Sequence, residues 1–222
     1  MATRRSVLLF SRPAEAEVRA KGLPGAEDLF RAAGERLAGA VLSLGHVDLV
    51  RPLQRGATFA ERLGNAIDDT RALGYSEIVV VPGDVPGLGE PQLRAAFRAL
   101  EASDVVLGPC TDGGVYLIGC RGPVERLFRG VRWRTGHVLA DLRARASGAT
   151  MLAPLADLDR PGDLAALEDD PTLPPDLRAL ILTMTLGTPS VVPRADTTDR
   201  LPSFLSSAPD RPRGPPVSSP LS

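Results

Sequence analysis

The chain has 222 residues, 43% of them hydrophobic, with 26 basic against 27 acidic side chains and a net charge of −1. Such a composition suits one sizeable globular core and excludes a fibrous or wholly disordered chain, while the balanced charge excludes a general attraction to nucleic acid or an anionic membrane. The longest apolar runs, such as Ile78 to Val81, are too short to span a bilayer, and Val7 to Phe10 is too short for a signal-peptide core, which predicts a cytoplasmic protein.

In chain order, Ser6 to Phe10 reads as a first buried strand, with Ser11-Arg12-Pro13 as its exit loop. Apolar residues at helical spacing (Leu29, Phe30, Ala33, Leu37, Val41) predict a helix over Ala26 to Leu44, closed by Gly45. A second strand follows at His46 to Val50 and a helix at Phe59 to Leu73. Ser76 to Val81 is the strongest strand signal, with β-branched residues at each position from Ile78 to Val81. Helix Glu90 to Leu100, strand Asp104 to Leu107, strand Val115 to Gly119, helix Thr135 to Ala146 and a strand near Thr150 to Leu152 come next. Asp163 opens a late helix, as its expected N-cap, and Asp176 to Thr183 forms the last. Strands alternating with helices predict an α/β fold with a mostly parallel sheet covered on both faces. From Gly187 onward Pro, Ser and Arg dominate, so residues 187–222 are expected to be a disordered tail, dispensable or recruiting a partner, behind a domain spanning 1–186.

In open parallel sheets, ligands lie beyond the carboxyl ends of the strands. There the sequence places Arg12, Gly83-Asp84-Val85-Pro86, the stretch Gly108 to Gly114, and Asp157-Leu158-Asp159. Acidic loops beside arginines suit a divalent cation bridging to a phosphorylated ligand. Asp84, in a loop held on a rigid sheet, reads as a ligand-binding residue, with capping of its own turn as the alternative. Asp157 and Asp159 alternate on an extended segment and so share a side; either could join Asp84 at a metal, or both could be solvated. Thr111-Asp112-Gly113-Gly114 is a turn by composition that also lets a ligand approach the backbone.

Other chemistries lack their residues. There is no Walker-type phosphate loop, dinucleotide fingerprint or Ser-containing nucleophile elbow. Cys110 and Cys120 cannot alone form a tetrahedral zinc site and read as small buried side chains. His46 and His137 read as structural or solvated. Lys21 is the sole lysine, so any chemistry needing an amine rests on it.

Taken together, Gln54-Arg55-Gly56 with Glu61-Arg62-Leu63, Val81 to Leu88, Asp104 to Pro109, Asp112 to Gly119, Leu127 to Trp133 and Asp157-Leu158-Asp159 resemble the radical-SAM/selenodomain-associated transferase family. That family lies in the GT-A nucleotide-diphospho-sugar transferase superfamily and is related to small guanylyltransferases. The resemblance runs from about Val7 to Leu167. It implies a Rossmann-like GT-A three-layer sandwich binding a nucleotide or nucleotide sugar, a small-molecule acceptor, and Mg²⁺ or Mn²⁺. By motif position, Asp84 and Asp159 would be the metal ligands, with Asp84 and Asp112 the catalytic pair. Gly113 and Gly114 would form the acceptor turn with Asp112. Arg12, Arg19 and Lys21 would contact phosphate, and Gln54, Arg62, Gly83 and Trp133 would complete the substrate-binding set.

The first loop, Ser11 to Lys21, departs from the family pattern. It lacks the glycine and the Thr-Arg pair and adds Glu15 and Glu17; Arg134 also stands where a serine is common. The sequence thus predicts a Mg²⁺-dependent glycosyltransferase-like enzyme. Nucleotidyl transfer of the guanylyltransferase type and a non-catalytic nucleotide-binding or scaffold protein are the alternatives.

Overall fold

The computed structural model describes residues 3–187. Apart from Gly187, the expected tail lies outside the described residues.

The core of the fold is a six-stranded sheet in the order β2-β1-β3-β5-β4-β6, formed by β1 (Arg5–Leu9), β2 (Val47–Val50), β3 (Glu77–Val81), β4 (Val105–Pro109), β5 (Val115–Cys120) and β6 (Thr150–Met151). The expected mostly parallel sheet is borne out, since β1 runs parallel to β2 and β3, and β4 to β6. Only β5 is antiparallel, against both β3 and β4. The short link Thr111-Asp112-Gly113-Gly114 dictates this, because so few residues join neighbouring strands only as a hairpin.

Around the sheet lie α1 (Ala14–Lys21), α2 (Glu27–Ser43), α3 (Phe59–Ala72), α4 (Glu90–Leu100), α5 (Glu125–Phe128), α6 (Val138–Arg145), α7 (Asp163–Glu168) and α8 (Pro175–Gly187). On one face α2 and α4 pack Leu37, Val41, Leu93 and Phe97 against Val7, Val79 and Val106. On the other, α3, α5 and α6 pack Leu63, Ile67, Phe128 and Leu142 against Leu8, Ile78, Leu107 and Ile118. Side chains alternate along each strand, so β1 and β3 feed both cores. This is the three-layer sandwich the sequence implies. A third cluster joins Val18 of α1, Leu29 and Phe30 of α2, Leu158, and Leu164, Leu167, Leu177 and Ile181 of α7 and α8.

Three local readings need correction. The stretch after β1 is not an open loop: Ala14 to Lys21 is a helix, favoured by its alanines and by Glu15 and Glu17 in the first turn with Arg19 and Lys21 in the last. Gly22, at φ +64°, ends it. The short helix α5 was also not anticipated. Asp163 is the first residue of α7 rather than its N-cap, because its carboxylate accepts from the upstream N–H groups of Asp159 and Arg160, both at 2.8 Å. Among the described residues, no helix is long and apolar enough to cross a membrane.

Candidate functional site

A cleft of about 730 Å³ opens beyond the carboxyl ends of β1, β3 and β4. Its floor comes from the residues that follow those strands: Phe10 to Arg12, Pro82 to Val85, and Cys110 with the hairpin turn. Asp157, Asp159 and Arg160 close one side, and Trp133 to Gly136 close another.

The sharpest feature of the cleft is a buried ammonium. Lys21 Nζ donates to Asp84 Oδ2 at 2.6 Å and to the Leu158 carbonyl at 2.8 Å, and it also bonds Asp159 Oδ1. Its side chain is only 7% exposed, against 22% for Asp84 and 49% for Asp159. Burial opposes the lysine's charge, yet Asp84 and Asp159 hold its pKa above the ordinary value, so it stays an ammonium. Burial raises the Asp84 carboxyl, against the pull of Lys21. The two carboxylates converge because the backbone joins them: Leu158 N–H donates to the Asp84 carbonyl at 2.9 Å. Leu158 itself is fully buried among α1, α2, α7 and α8, which turns Asp157 and Asp159 outward into the cleft.

Glu17, also buried, organises the loop after β1. Its carboxylate accepts from Arg12 N–H at 3.1 Å and from the Arg12 guanidinium through Nε and Nη2, both at 3.2 Å. Gln54 fixes the same loop by donating from Nε2 to the Ser11 carbonyl at 2.9 Å. Gly83 is needed there, since a Cβ at that position would sit 2.7 Å from Ser11 Cβ.

A second acidic group lies alongside. Cys110 Sγ and carboxylate oxygens of Asp112 and Asp157 all fall within 4.8 Å of one another. Burial pushes the Asp157 carboxyl up to about 6, helped by Asp112 and Asp159. Burial likewise raises the Cys110 thiol, so it is neutral. Asp112 shapes its own turn by accepting from Gly114 N–H at 2.8 Å.

The opposite wall is aromatic. Phe59 packs against Trp133 at 5.2 Å with the rings tilted by 43° and meets Phe10 edge-on at 5.6 Å, while Phe128 meets Trp133 edge-on at 5.0 Å. The indole N–H of Trp133 is buried without a hydrogen-bond partner among the described residues. Arg132 anchors this wall through its N–H and guanidinium on Asp141, at 2.8 to 2.9 Å. Arg134 follows in the left-handed backbone region at φ +62°. Arg134 and Arg160 line the cleft and make no side-chain ion pair among the described residues.

Most of the residues singled out by sequence therefore meet in one place: Arg12, Lys21, Gln54, Arg62, Gly83, Asp84, Asp112, Gly114, Trp133 and Asp159 all line the cleft. Two do not. Arg19 is exposed outside it, because α1 carries it on a different face from Lys21. Gly113 is outside as well; at φ +93° it lets the hairpin pack under the Gly136 carbonyl. Arg62 donates to the Ala57 carbonyl at 3.3 Å. Asp157, read from sequence as an alternative to Asp159 beside Asp84, also lines the cleft, whereas sequence reasoning missed Glu17, Cys110, Phe59, Arg134 and Arg160 as site residues. Their one shared signal is position just after a strand or beside a motif already noted. His46 and His137 are exposed and outside the cleft, as expected.

Residues 23–135 match a family model described as "Uncharacterized protein conserved in bacteria (DUF2064)". Among curated proteins no relative matches. Among solved structures, the chain is similar to a provisionally assigned nucleotide-diphospho-sugar transferase from Desulfovibrio desulfuricans G20. That likeness has 22% identity and a TM-score of 0.69 over 83% of this chain and 96% of the other, and it bears out the expected fold. A more distant likeness is to the manganese complex of Rv0371C from Mycobacterium tuberculosis H37Rv, at 17% identity and TM-score 0.42 over 74% and 97% of the two chains. Another is to CMP:2-keto-3-deoxy-manno-octonic acid synthetase complexed with CTP, at 13% identity and TM-score 0.42 over 82% and 99%. None of these bears on association with radical-SAM or selenodomain proteins.

Proposed function

The chain belongs to the DUF2064 family, and from that premise we propose that it is a transferase acting on a nucleotide-sugar or nucleoside triphosphate donor. The observation that carries this reading is the convergence of Asp84 Oδ2, Asp159 Oδ1 and the Leu158 carbonyl on a single cation, the ammonium of Lys21, at the carboxyl edge of the sheet. A seat made only of oxygens and already filled by a positive charge fits a hard divalent cation, Mg²⁺ or Mn²⁺. When bound there, such a cation would neutralise the charge of the donor's diphosphate.

The chain's own residues supply the rest. Arg134 and Arg160, without carboxylate partners among the described residues, offer guanidinium forks to phosphate oxygens. The Phe59–Trp133 wall offers an apolar face to a ring. Asp112 lies at the open side of the hairpin, where it can accept a hydrogen bond from an acceptor hydroxyl, and Asp157 stands next to it. We read the reaction as glycosyl transfer, since Arg12 is held by Glu17 and the loop is poorly supplied with charge for a triphosphate. The same internal ion pairs favour a second reading, a nucleotide-binding protein without turnover.

Thermal stability followed while Mg²⁺ or Mn²⁺ is titrated with a panel of nucleotides and nucleotide sugars tests this. The expected result is a metal-dependent rise in Tm with one ligand class, lost in Asp84→Asn. No metal-dependent shift with any ligand, or an unchanged shift in Asp84→Asn, would sink the reading. A shift without any product formed by the wild-type protein would leave the binding protein.

A further inference from the structure

Glu17 and Lys21 stand four residues apart on α1, so their side chains leave the same face of the helix, and both line the cleft. Each is engaged by a loop rather than by the other. The Glu17 carboxylate sits in the grip of the Arg12 N–H and guanidinium. The Lys21 ammonium sits between Asp84, Asp159 and the Leu158 carbonyl. One helix face thus presents an anion to the cationic loop and a cation to the acidic pair. Those are the two charges that a metal-bound diphosphate carries.

We propose that Glu17 and Lys21 are an internal counterpart of a cation–diphosphate unit, and that the cation and the diphosphate enter this cleft together by displacing both side chains at once. The inference rests on the reading of Asp84 and Asp159 as a cation seat. Neither ligand fits well by itself. A divalent cation alone would evict Lys21 and leave a buried ammonium without its counter-charges, a costly state. A diphosphate alone would meet Glu17 on Arg12, with Asp84 and Asp159 nearby and still engaged by Lys21. When both arrive, the freed ammonium and guanidinium find phosphate oxygens, and the acidic pair finds the cation. The helix suits this exchange. Val18 is its only buried apolar residue, and its first turn has no side-chain cap, so little apolar packing opposes the displacement of both side chains.

Calorimetric titration of the full chain with Mn²⁺ and with inorganic pyrophosphate, separately and together, tests the exchange. Wild-type protein is expected to bind each alone weakly, with each raising the affinity for the other by the same factor, on the order of tenfold or more. Lys21→Met is expected to bind Mn²⁺ alone about tenfold more tightly than wild type, and Glu17→Gln to bind pyrophosphate alone more tightly without any gain in Mn²⁺ affinity. Wild type binding Mn²⁺ alone as tightly as Lys21→Met overturns the exchange but leaves the cation seat standing. No binding of Mn²⁺ to any form, with or without pyrophosphate, overturns both.

Because Lys21 is the sole lysine, a second measurement needs no variant. Protein made with side-chain ¹³C-lysine gives one ε-carbon resonance. That signal is expected to move with Mg²⁺ and pyrophosphate together and to stay in place with Mg²⁺ alone at the same concentration. A full shift with Mg²⁺ alone, or no shift with both ligands bound by calorimetry, overturns the proposal.

Discussion

Leu158 N–H donates to the carbonyl of Asp84 at 2.9 Å, and this one backbone bond brings the loop after β3 to the segment before α7. The cation seat exists because of it. Asp84 reaches the seat from the sheet, Asp159 reaches it from the last loop, and Leu158 pins the second to the first.

Leu158→Ala should therefore damage both stability and site. Removing a fully buried leucine from the cluster around α7 and α8 is expected to cost about 2–5 kcal/mol. Denaturant midpoints measure that loss, and Mn²⁺ titration measures the accompanying loss of affinity. Asp159→Asn, at a half-exposed carboxylate, is expected to lose the affinity with little change in midpoint.

Trp133 is the only tryptophan and lines the cleft, so its fluorescence reports on the site without contribution from any other indole. Saturation with the ligand found by thermal shift should change its intensity or emission maximum. An unchanged spectrum with ligand bound would place that ligand away from the aromatic wall. Phe59→Ala, which removes the ring 5.2 Å from the indole, should shift the emission of the free protein.

Gly113→Ala tests a structural role for a residue that sequence placed among the ligand contacts. Its φ of +93° disfavours any side chain, and a Cβ there would collide with the Gly136 carbonyl oxygen. A loss of about 1–3 kcal/mol is expected from such strain, read as a lowered midpoint, with ligand affinity falling because the Arg134 loop is displaced.

The Arg132–Asp141 pair predicts a pH dependence. Three hydrogen bonds from Arg132 hold the Asp141 carboxyl well below the usual carboxylate range. A depressed folded-state pKa stabilises the fold above the unfolded value of about 4 and loses that contribution as pH falls below it. Asp141→Asn should lower Tm at pH 7, and its difference from wild type should shrink as pH falls from about 4.

The two thiols should label slowly in native protein. Burial raises both, Cys120 to about 11, and thiolate is the reactive form. Cys110 faces the cleft, so bound ligand should slow its labelling further and leave that of Cys120 unchanged.

The sequence by itself determined the layered α/β fold, because its signals are local: Ile78 to Val81 can only be a buried strand, and the helical spacing of Leu29, Leu37 and Val41 or Leu93 and Phe97 names a packing face. It also pointed to the cleft, since Asp84 and Asp112 follow strands of a largely parallel sheet. Helix α1 left no such trace, as Val18 is its one buried apolar residue and gives no periodicity. Only the tertiary structure decided what Lys21 touches. Its partners Asp84 and Asp159 lie 63 and 138 residues away, and an ion pair over such distances depends on how buried elements dock, not on spacing along the chain. The lysine that sequence assigned to phosphate is, in the folded protein, the cation held by the acidic pair.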